Sequence, residues 1–313
     1  MKITVFGTGA IGSHVAGRMA KGGKAEVSVV ARGPQLDGIR ANGITVETPD
    51  ETFNVKVRAE QDPAKLGAQD AVVVTVKAPA LGSVAESIAP LLGPDTPVVF
   101  VINGIPWWWN DDLAILDPGG AVRSKIGLAR TIGGVVWSAC TVTSPGTVKV
   151  QSVSSRVAFG ELDGSASPRV QEIAAVLDAG GMGGVVSRDI RTDIWTKLLN
   201  NLANGPICLL SRRDMKSTFD EPVILDTAFA VLREGMEIAK ALGHPVPGEP
   251  EKLMQRSVGI AHKPSILQDL EQGRALEFDA LFTVPLQLAR QAGVKAPMLE
   301  LMVALARKSA YPA

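Results

Sequence analysis

Two groups of residues in this 313-residue chain have types and spacings that could do chemistry. The first is Gly7-Thr8-Gly9-Ala10-Ile11-Gly12, a G-x-G-x-x-G run that follows Lys2-Ile3-Thr4-Val5-Phe6 and precedes Ile11, Val15 and Met19 at helical spacing. A strand, a glycine turn and a helix in that order make a phosphate cradle. Gly7 permits the tight turn, Gly9 lets a pyrophosphate approach the backbone, and Gly12 lets the helix pack closely. The free N–H groups and positive end of the helix then hold the phosphates. The second group is Lys197, Asn200, Asn201 and Asn204, which a helix through Trp195–Asn204 carries on one face. Asparagine is a poor helix former, so three in five residues need partners. Hydride delivery to a carbonyl leaves an alkoxide that a proton donor or cation must face. Of the histidines, His14 falls in the first helix, His244 in a helix-ending turn, and His262 has no catalytic context. A lysine in a desolvated cleft can serve as the acid, and Lys197 is the candidate.

These residues need elements to hold them. The first helix should stop near Gly22-Gly23, and Val27–Ala31 reads as the second strand of a βαβ unit. A site for NAD would place a carboxylate about 20 residues past the glycines. This chain has Ala31-Arg32-Gly33 there and no carboxylate until Asp37, so Arg32 favours the 2′-phosphate of NADP(H). The apolar strands Ala71–Val76 and Pro97–Ile102 deliver Lys77 and Asn103-Gly104 at carboxyl ends, where open α/β sheets bind ligands. Trp107-Trp108-Trp109 follow, either as packing or as a wall of a substrate pocket. Residues 135–160 read as antiparallel strands about the Pro145-Gly146 turn. After Asp189 the pattern turns helical, with helices expected over 192–204, 223–242 and 277–292. Ser265 and Gln268 have the spacing of a capping box, and Glu277 suits the start of the last of these helices. The expected class is α/β: an N-terminal doubly wound sheet of Rossmann type over residues 1–188, and an all-helical second domain over 189–313.

Composition excludes several alternatives. Apolar residues make up 46% and charged residues 20%, ordinary for a globular protein, and 32 acidic residues balance 32 basic ones. That balance gives no field for nucleic acid or membrane surfaces, and no apolar run reaches the length of a membrane span. The chain enters a strand at once, without a signal-peptide pattern, so a cytoplasmic location is expected. Cys140 and Cys208 form no metal-type pair and read as reduced, buried thiols; no metal is expected.

In sequence order, Gly7-Thr8-Gly9-Ala10-Ile11-Gly12, Arg32, Lys77, Asn103-Gly104, Pro145-Gly146, Lys197 with Asn201, and Ser265-x3-Asp269-x7-Glu277 resemble the ketopantoate reductase (2-dehydropantoate 2-reductase) family nearly end to end. The resemblance implies an NADPH-binding Rossmann domain and a helical domain like that of 6-phosphogluconate dehydrogenase. It implies reduction of ketopantoate to pantoate in pantothenate biosynthesis, with Lys197 as proton donor. Arg32 would meet the 2′-phosphate, and Lys77 and Asn103 would lie near the nicotinamide. Asn201 and Ser265, with Asn204 and Asp269, would bind substrate, and Glu277 would help close the cofactor site and serve catalysis. A homodimer through the helical domain is implied by the same analogy. Two features depart from the pattern: Gly205 stands where a second substrate asparagine is common, and the tryptophan triplet is atypical. Three readings follow: a ketopantoate reductase, a reductase of a bulkier 2-oxo acid or an imine, and a silent NADP-binding regulator, against which Lys197 argues.

Overall fold

The structure is a computed structural model that describes residues 1–311, with the backbone only at Arg256 and Ser257. The chain forms two compact units, each described by itself. Unit 1 comprises Met1–Ile102 and Asp117–Ile190; unit 2 comprises Asn103–Leu116 and Arg191–Ala313. The division thus falls two residues beyond the expected boundary at 188, and the segment after Asn103 belongs to the helical unit, not to the nucleotide-binding one.

Unit 1 begins with β1 (Lys2–Phe6), α1 (Ala10–Lys21), β2 (Glu26–Val30), α2 (Gly33–Asn42), β3 (Ile44–Glu47), β4 (Thr52–Val55), β5 (Arg58–Glu60), β6 (Ala71–Val74), α3 (Leu81–Ser87) and β7 (Val98–Val101). It resumes with α4 (Ala121–Lys125), β8 (Thr131–Trp137), β9 (Cys140–Ser144), β10 (Thr147–Val150), β11 (Arg156–Glu161), α5 (Pro168–Ala179) and β12 (Gly183–Val186). Eight strands form one sheet in the order β12-β11-β8-β7-β6-β1-β2-β5, and all its pairs are parallel except β8 with β11. Val72, Val73, Val74, Val98 and Val99 are fully buried, as parallel strands covered on both faces require.

A second sheet, β4-β3-β10-β9, was not expected from the sequence. The antiparallel pairs expected over 135–160 form, but they are divided between the two sheets. β8 and β11 pair antiparallel in the large sheet, whereas β9 and β10 leave it and β10 pairs parallel to β3, about 100 residues away. Helix α1 packs on this sheet through Gly17, where an added Cβ would lie 2.6 Å from Val46 Cγ2. His14, on the same helix, is 1% exposed and faces Ser138 Oγ at 3.1 Å. Burial, and then Arg18, hold its pKa down to about 4, so it sits neutral in the packing.

Unit 2 contains α6 (Ile190–Ser211), α7 (Met215–Thr218), α8 (Pro222–Ala241), α9 (Pro250–Val258), α10 (Ser265–Glu271), α11 (Val284–Gln291) and α12 (Pro297–Ala310). Helix α6 buries Trp195, Leu198, Leu199, Leu202 and Ala203, and α8 meets it where Gly235 leaves 2.7 Å to Leu199 Cδ2 for any added Cβ. Helix α12 has Ala296 at its cap position, so its first N–H groups find no local acceptor. Glu234 of α8 accepts from Met298 N at 3.0 Å and Leu299 N at 2.7 Å instead.

Two sequence expectations are corrected in this unit. Ser265 does not cap α10: Pro264 holds the cap position, and Gln268 Nε2 donates to the Lys263 carbonyl at 2.8 Å. The helix expected over 277–292 begins with a π turn, Asp279–Thr283, before α11. Val284 N bonds the Asp279 carbonyl five residues back. Pro285 explains the register, because its ring clashes with the carbonyl four residues back in an α-helix and it has no N–H to give.

Candidate functional site

In unit 1 the three glycines stand in three different environments. Gly7 has φ +102°, a value that L side chains rarely adopt. At Gly12 a Cβ would lie 1.9 Å from the Gly7 carbonyl oxygen and 2.5 Å from Thr75 Oγ1. At Gly9, the residue preceding α1, nothing lies within 4 Å of that position. The protein closes on Gly7 and Gly12 and leaves room beyond Gly9. The first turn of α1 carries no acidic residue, so its unsatisfied N–H groups and dipole present an unopposed positive end. Thr8 is buried and its carbonyl accepts from Ser13 Oγ at 3.1 Å; Thr75 Oγ1 donates to the Gly7 carbonyl at 2.7 Å. These two bonds tie the loop to α1 and to the residue that follows β6. Ala10 and Ile11 form the half-buried first turn of the helix.

A cavity of about 280 Å³ opens from this loop, lined by Gly7, Thr8, Gly9, Ala31, Arg32, Gln35, Ser83 and apolar neighbours. Arg32 precedes α2 at the end of β2, is exposed, and shares the cavity with the glycine loop; no carboxylate lines it. The residues present therefore fit a dinucleotide. Lys77 follows β6 and is half-buried at the carboxyl side of the strand. A larger recess at the amino ends of β1 and β2, lined by Met1, Lys2, Lys24, Glu26 and Asp70, has no glycine loop.

In unit 2 the structure joins residues from three distant stretches. Lys197 Nζ donates to Asn103 Oδ1 at 2.6 Å, and Asn103 Nδ2 donates to Glu277 Oε2 at 3.3 Å. The amide can serve both neighbours in only one orientation, carbonyl toward the ammonium and NH₂ toward the carboxylate. Lys197 is half-buried and Glu277 is 6% exposed. The turn that carries Asn103 is pinned to the π turn: Ile105 N donates to the Ala280 carbonyl at 2.9 Å, and Gly104, at φ +79°, leaves 2.4 Å between an added Cβ and that oxygen. A lysine ammonium carries three donors, and one directed at a ligand oxygen can place a proton there.

The remaining predicted residues are placed differently. Asn201 is half-buried, while Asn204 is 6% exposed with a buried side-chain oxygen that has no partner among the described residues. Asn200, one turn earlier, has a buried side-chain oxygen in the same condition. Such acceptors are costly unless a ligand or water serves them. Ser265 is exposed at the start of α10. Asp269 is 2% exposed and accepts from Arg274 Nε at 2.9 Å, so its carboxylate is held by an arginine of its own loop. The tryptophan triplet is packing: Trp107, Trp108 and Trp109 are 2%, 3% and 7% exposed. Trp109 meets the Trp195 ring edge-on at 6.3 Å, and the Arg191 guanidinium lies 4.7 Å over its ring.

The sequence did not single out Phe282. This ring is fully buried, and Gly205 faces it: a Cβ there would lie 2.6 Å from Phe282 Cζ and 3.6 Å from Ile266 Cγ2. The place of the missing asparagine is occupied by an aromatic side chain. Cys208 is buried, with a thiol pushed up to about 11 by burial, and Cys140 is half-buried. Among the described residues no cluster of His, Cys, Asp or Glu could hold a metal ion, and no helix is long and apolar enough to cross a membrane.

Comparison with known proteins follows the same division. A family profile described as ketopantoate reductase PanE/ApbA matches residues 3–164, and its C-terminal companion matches residues 189–310. A 2-dehydropantoate 2-reductase of Mesorhizobium japonicum is 37% identical, covering 99% of this chain and 98% of its own. The crystal structure of a 2-dehydropantoate 2-reductase from Methylococcus capsulatus has a TM-score of 0.81 at 27% identity, over 98% of this chain and 96% of its own. A D-mandelate dehydrogenase solved with NADH and anilino(oxo)acetate shares the fold, with a TM-score of 0.83 at 19% identity over 99% and 98% of the two chains.

Proposed function

Because the chain belongs to the ketopantoate reductase family, we propose that it reduces a 2-oxo acid to the 2-hydroxy acid with NADPH, ketopantoate to pantoate being the default. The observation that carries this reading is the lysine held at 2.6 Å by Asn103, whose amide is in turn anchored on Glu277. NADPH, when bound at the glycine loop, supplies the hydride. Lys197 holds a proton at the carbonyl oxygen and transfers it as negative charge develops there. Asn103 fixes the ammonium, and Glu277 anchors the other end of that amide, two hydrogen bonds away from the lysine. Asn201, Asn204 and Ser265 orient the substrate, and the unpartnered oxygen of Asn204 suits a ligand hydroxyl. Asp269 serves instead to hold Arg274. Arg32 gives the preference for NADPH over NADH, since its fork matches a phosphate and no carboxylate lines its cavity.

A second reading, a bulkier or more apolar 2-oxo acid, is favoured by one observation. Phe282 fills the room beside Gly205 in which an asparagine would present its amide. Steady-state turnover of NADPH and NADH over a panel of 2-oxo acids tests both readings. Saturable NADPH oxidation with ketopantoate as the best substrate supports the first, and a higher kcat/KM for an aromatic or branched acid supports the second. Absence of turnover with every acid refutes both.

A further inference from the structure

The π turn that opens the segment before α11 explains how Asn103 comes to its place. In a π turn the N–H at position 285 would serve the carbonyl at position 280. Pro285 has no N–H, and Val284 N is already bonded to Asp279. Ala280 is therefore left with a carbonyl that its own helix cannot satisfy, in a buried position. Ile105 N fills that vacancy at 2.9 Å from a point 175 residues earlier in the chain. Gly104 can lie against the same carbonyl only because it lacks a Cβ. The next residue back is Asn103, whose amide bonds both Lys197 and Glu277. Glu277 itself stands two residues before the π turn, and its backbone carbonyl accepts from Leu281 N at 3.0 Å.

We propose that Pro285 is a positioning residue: by denying Ala280 a partner within the helix, it reserves that carbonyl for Ile105 and so sets Asn103 between Lys197 and Glu277. Its kinetic consequence rests on the reductase reading. The hydrogen-bonding consequence does not.

Pro285→Ala tests it. The new N–H lets the helix satisfy its own carbonyls in either register, in competition with Ile105. The amide of Ile105, followed by hydrogen exchange, should exchange about 3- to 10-fold faster, the equivalent of losing one ordinary hydrogen bond. Turnover should show kcat lower by a similar factor, with the pH limb governed by Lys197 displaced. NADPH affinity, to which the glycine loop of unit 1 contributes most, should change less than kcat. A purely structural role would move stability without moving the pH limb. Gly104→Ala is the second variant, because its Cβ would press on the Ala280 oxygen while Pro285 stays in place. It should reproduce the exchange and pH effects. Wild-type exchange at Ile105 in Pro285→Ala, or an unmoved pH limb in both variants, overturns the assignment; so does failure of both to fold, which would make the contact structural. If the wild type reduces no 2-oxo acid, the reductase reading falls and the exchange result still decides this one.

Discussion

Gly205 and Phe282 should behave as a coupled pair. An added Cβ at 205 would stand 2.6 Å from Phe282 Cζ and 3.1 Å from Cε1, inside van der Waals contact. The ring has little room to retreat, because it is fully buried and meets Phe278 edge-on at 5.0 Å. Gly205→Asn alone is therefore an overpacking substitution, expected to cost about 1–3 kcal/mol. At roughly 2–4 °C per kcal/mol, the melting temperature should fall by about 2–12 °C. Phe282→Ala alone leaves a cavity and should cost about 3–5 kcal/mol. In the double variant the amide enters the space the ring has left. The combined loss should then be smaller than the two single losses added together, by a coupling of about 0.5–3 kcal/mol. Urea or thermal unfolding of all four proteins measures this cycle. The same four enzymes, assayed with NADPH on ketopantoate and on an aromatic 2-oxo acid, report whether the new amide shifts kcat/KM toward ketopantoate. The expected shift is roughly one to two decades, because a substrate hydroxyl gains a partner. A wild-type melting temperature for Gly205→Asn, or additivity within about 0.5 kcal/mol, would refute the packing argument.

Arg32→Ala should weaken NADPH binding by about one to two decades, as expected for loss of a charge-assisted contact. NADH binding should stay nearly intact, and equal loss for both in a fluorescence titration would make Arg32 structural. Lys197→Ala should lower kcat by about two to four decades while NADPH still binds, and near-normal turnover would remove it as the donor. His14 gives a pH signature. Unfolded histidine takes up a proton below about 6.5, but in the fold His14 does so only near 4. Its contribution is complete above pH 6.5 and is lost as pH falls from there to about 4, by about 3 kcal/mol. Denaturant titrations of the wild type and His14→Asn across that window should diverge by this amount, and parallel curves would exclude it.

What could be read from the sequence was local. The glycine loop announces itself because Phe6, Gly7, Gly9, Gly12 and Val15 all lie within one βα unit, where spacing alone fixes geometry. Lys197 could be picked out because helical periodicity puts it beside three asparagines. Asn103 could be marked as a ligand-facing strand end, but its pairing with Lys197 could not be read, since 94 residues separate them. The second sheet was hidden for the same reason, its β3 and β10 being short pieces whose pairing is long-range. At Ser265 a local signal misled, because Pro264 with φ −52° took the cap position one residue earlier. Pro285, in the interior of the helix expected over 277–292, is a legible signal against a regular α-helix there. Helix α12 carried Pro297 at its start and helix-forming residues after it, and was likewise readable.

The loan of residues 103–116 to unit 2 also has a consequence in time. The polypeptide leaves unit 1 after Ile102, returns at Asp117 and leaves again after Ile190. During synthesis Trp107, Trp108 and Trp109 emerge well before the helix that covers them. Trp195 follows roughly 85 residues later, on the order of 4–17 s at ordinary elongation rates. For that interval Trp109 lacks the Trp195 ring that it meets edge-on in the fold. Slow elongation beyond Leu116 lengthens this exposure, and with it the demand for chaperones. No single cut yields two self-sufficient halves, since a break near 190 strands the tryptophans on the wrong fragment.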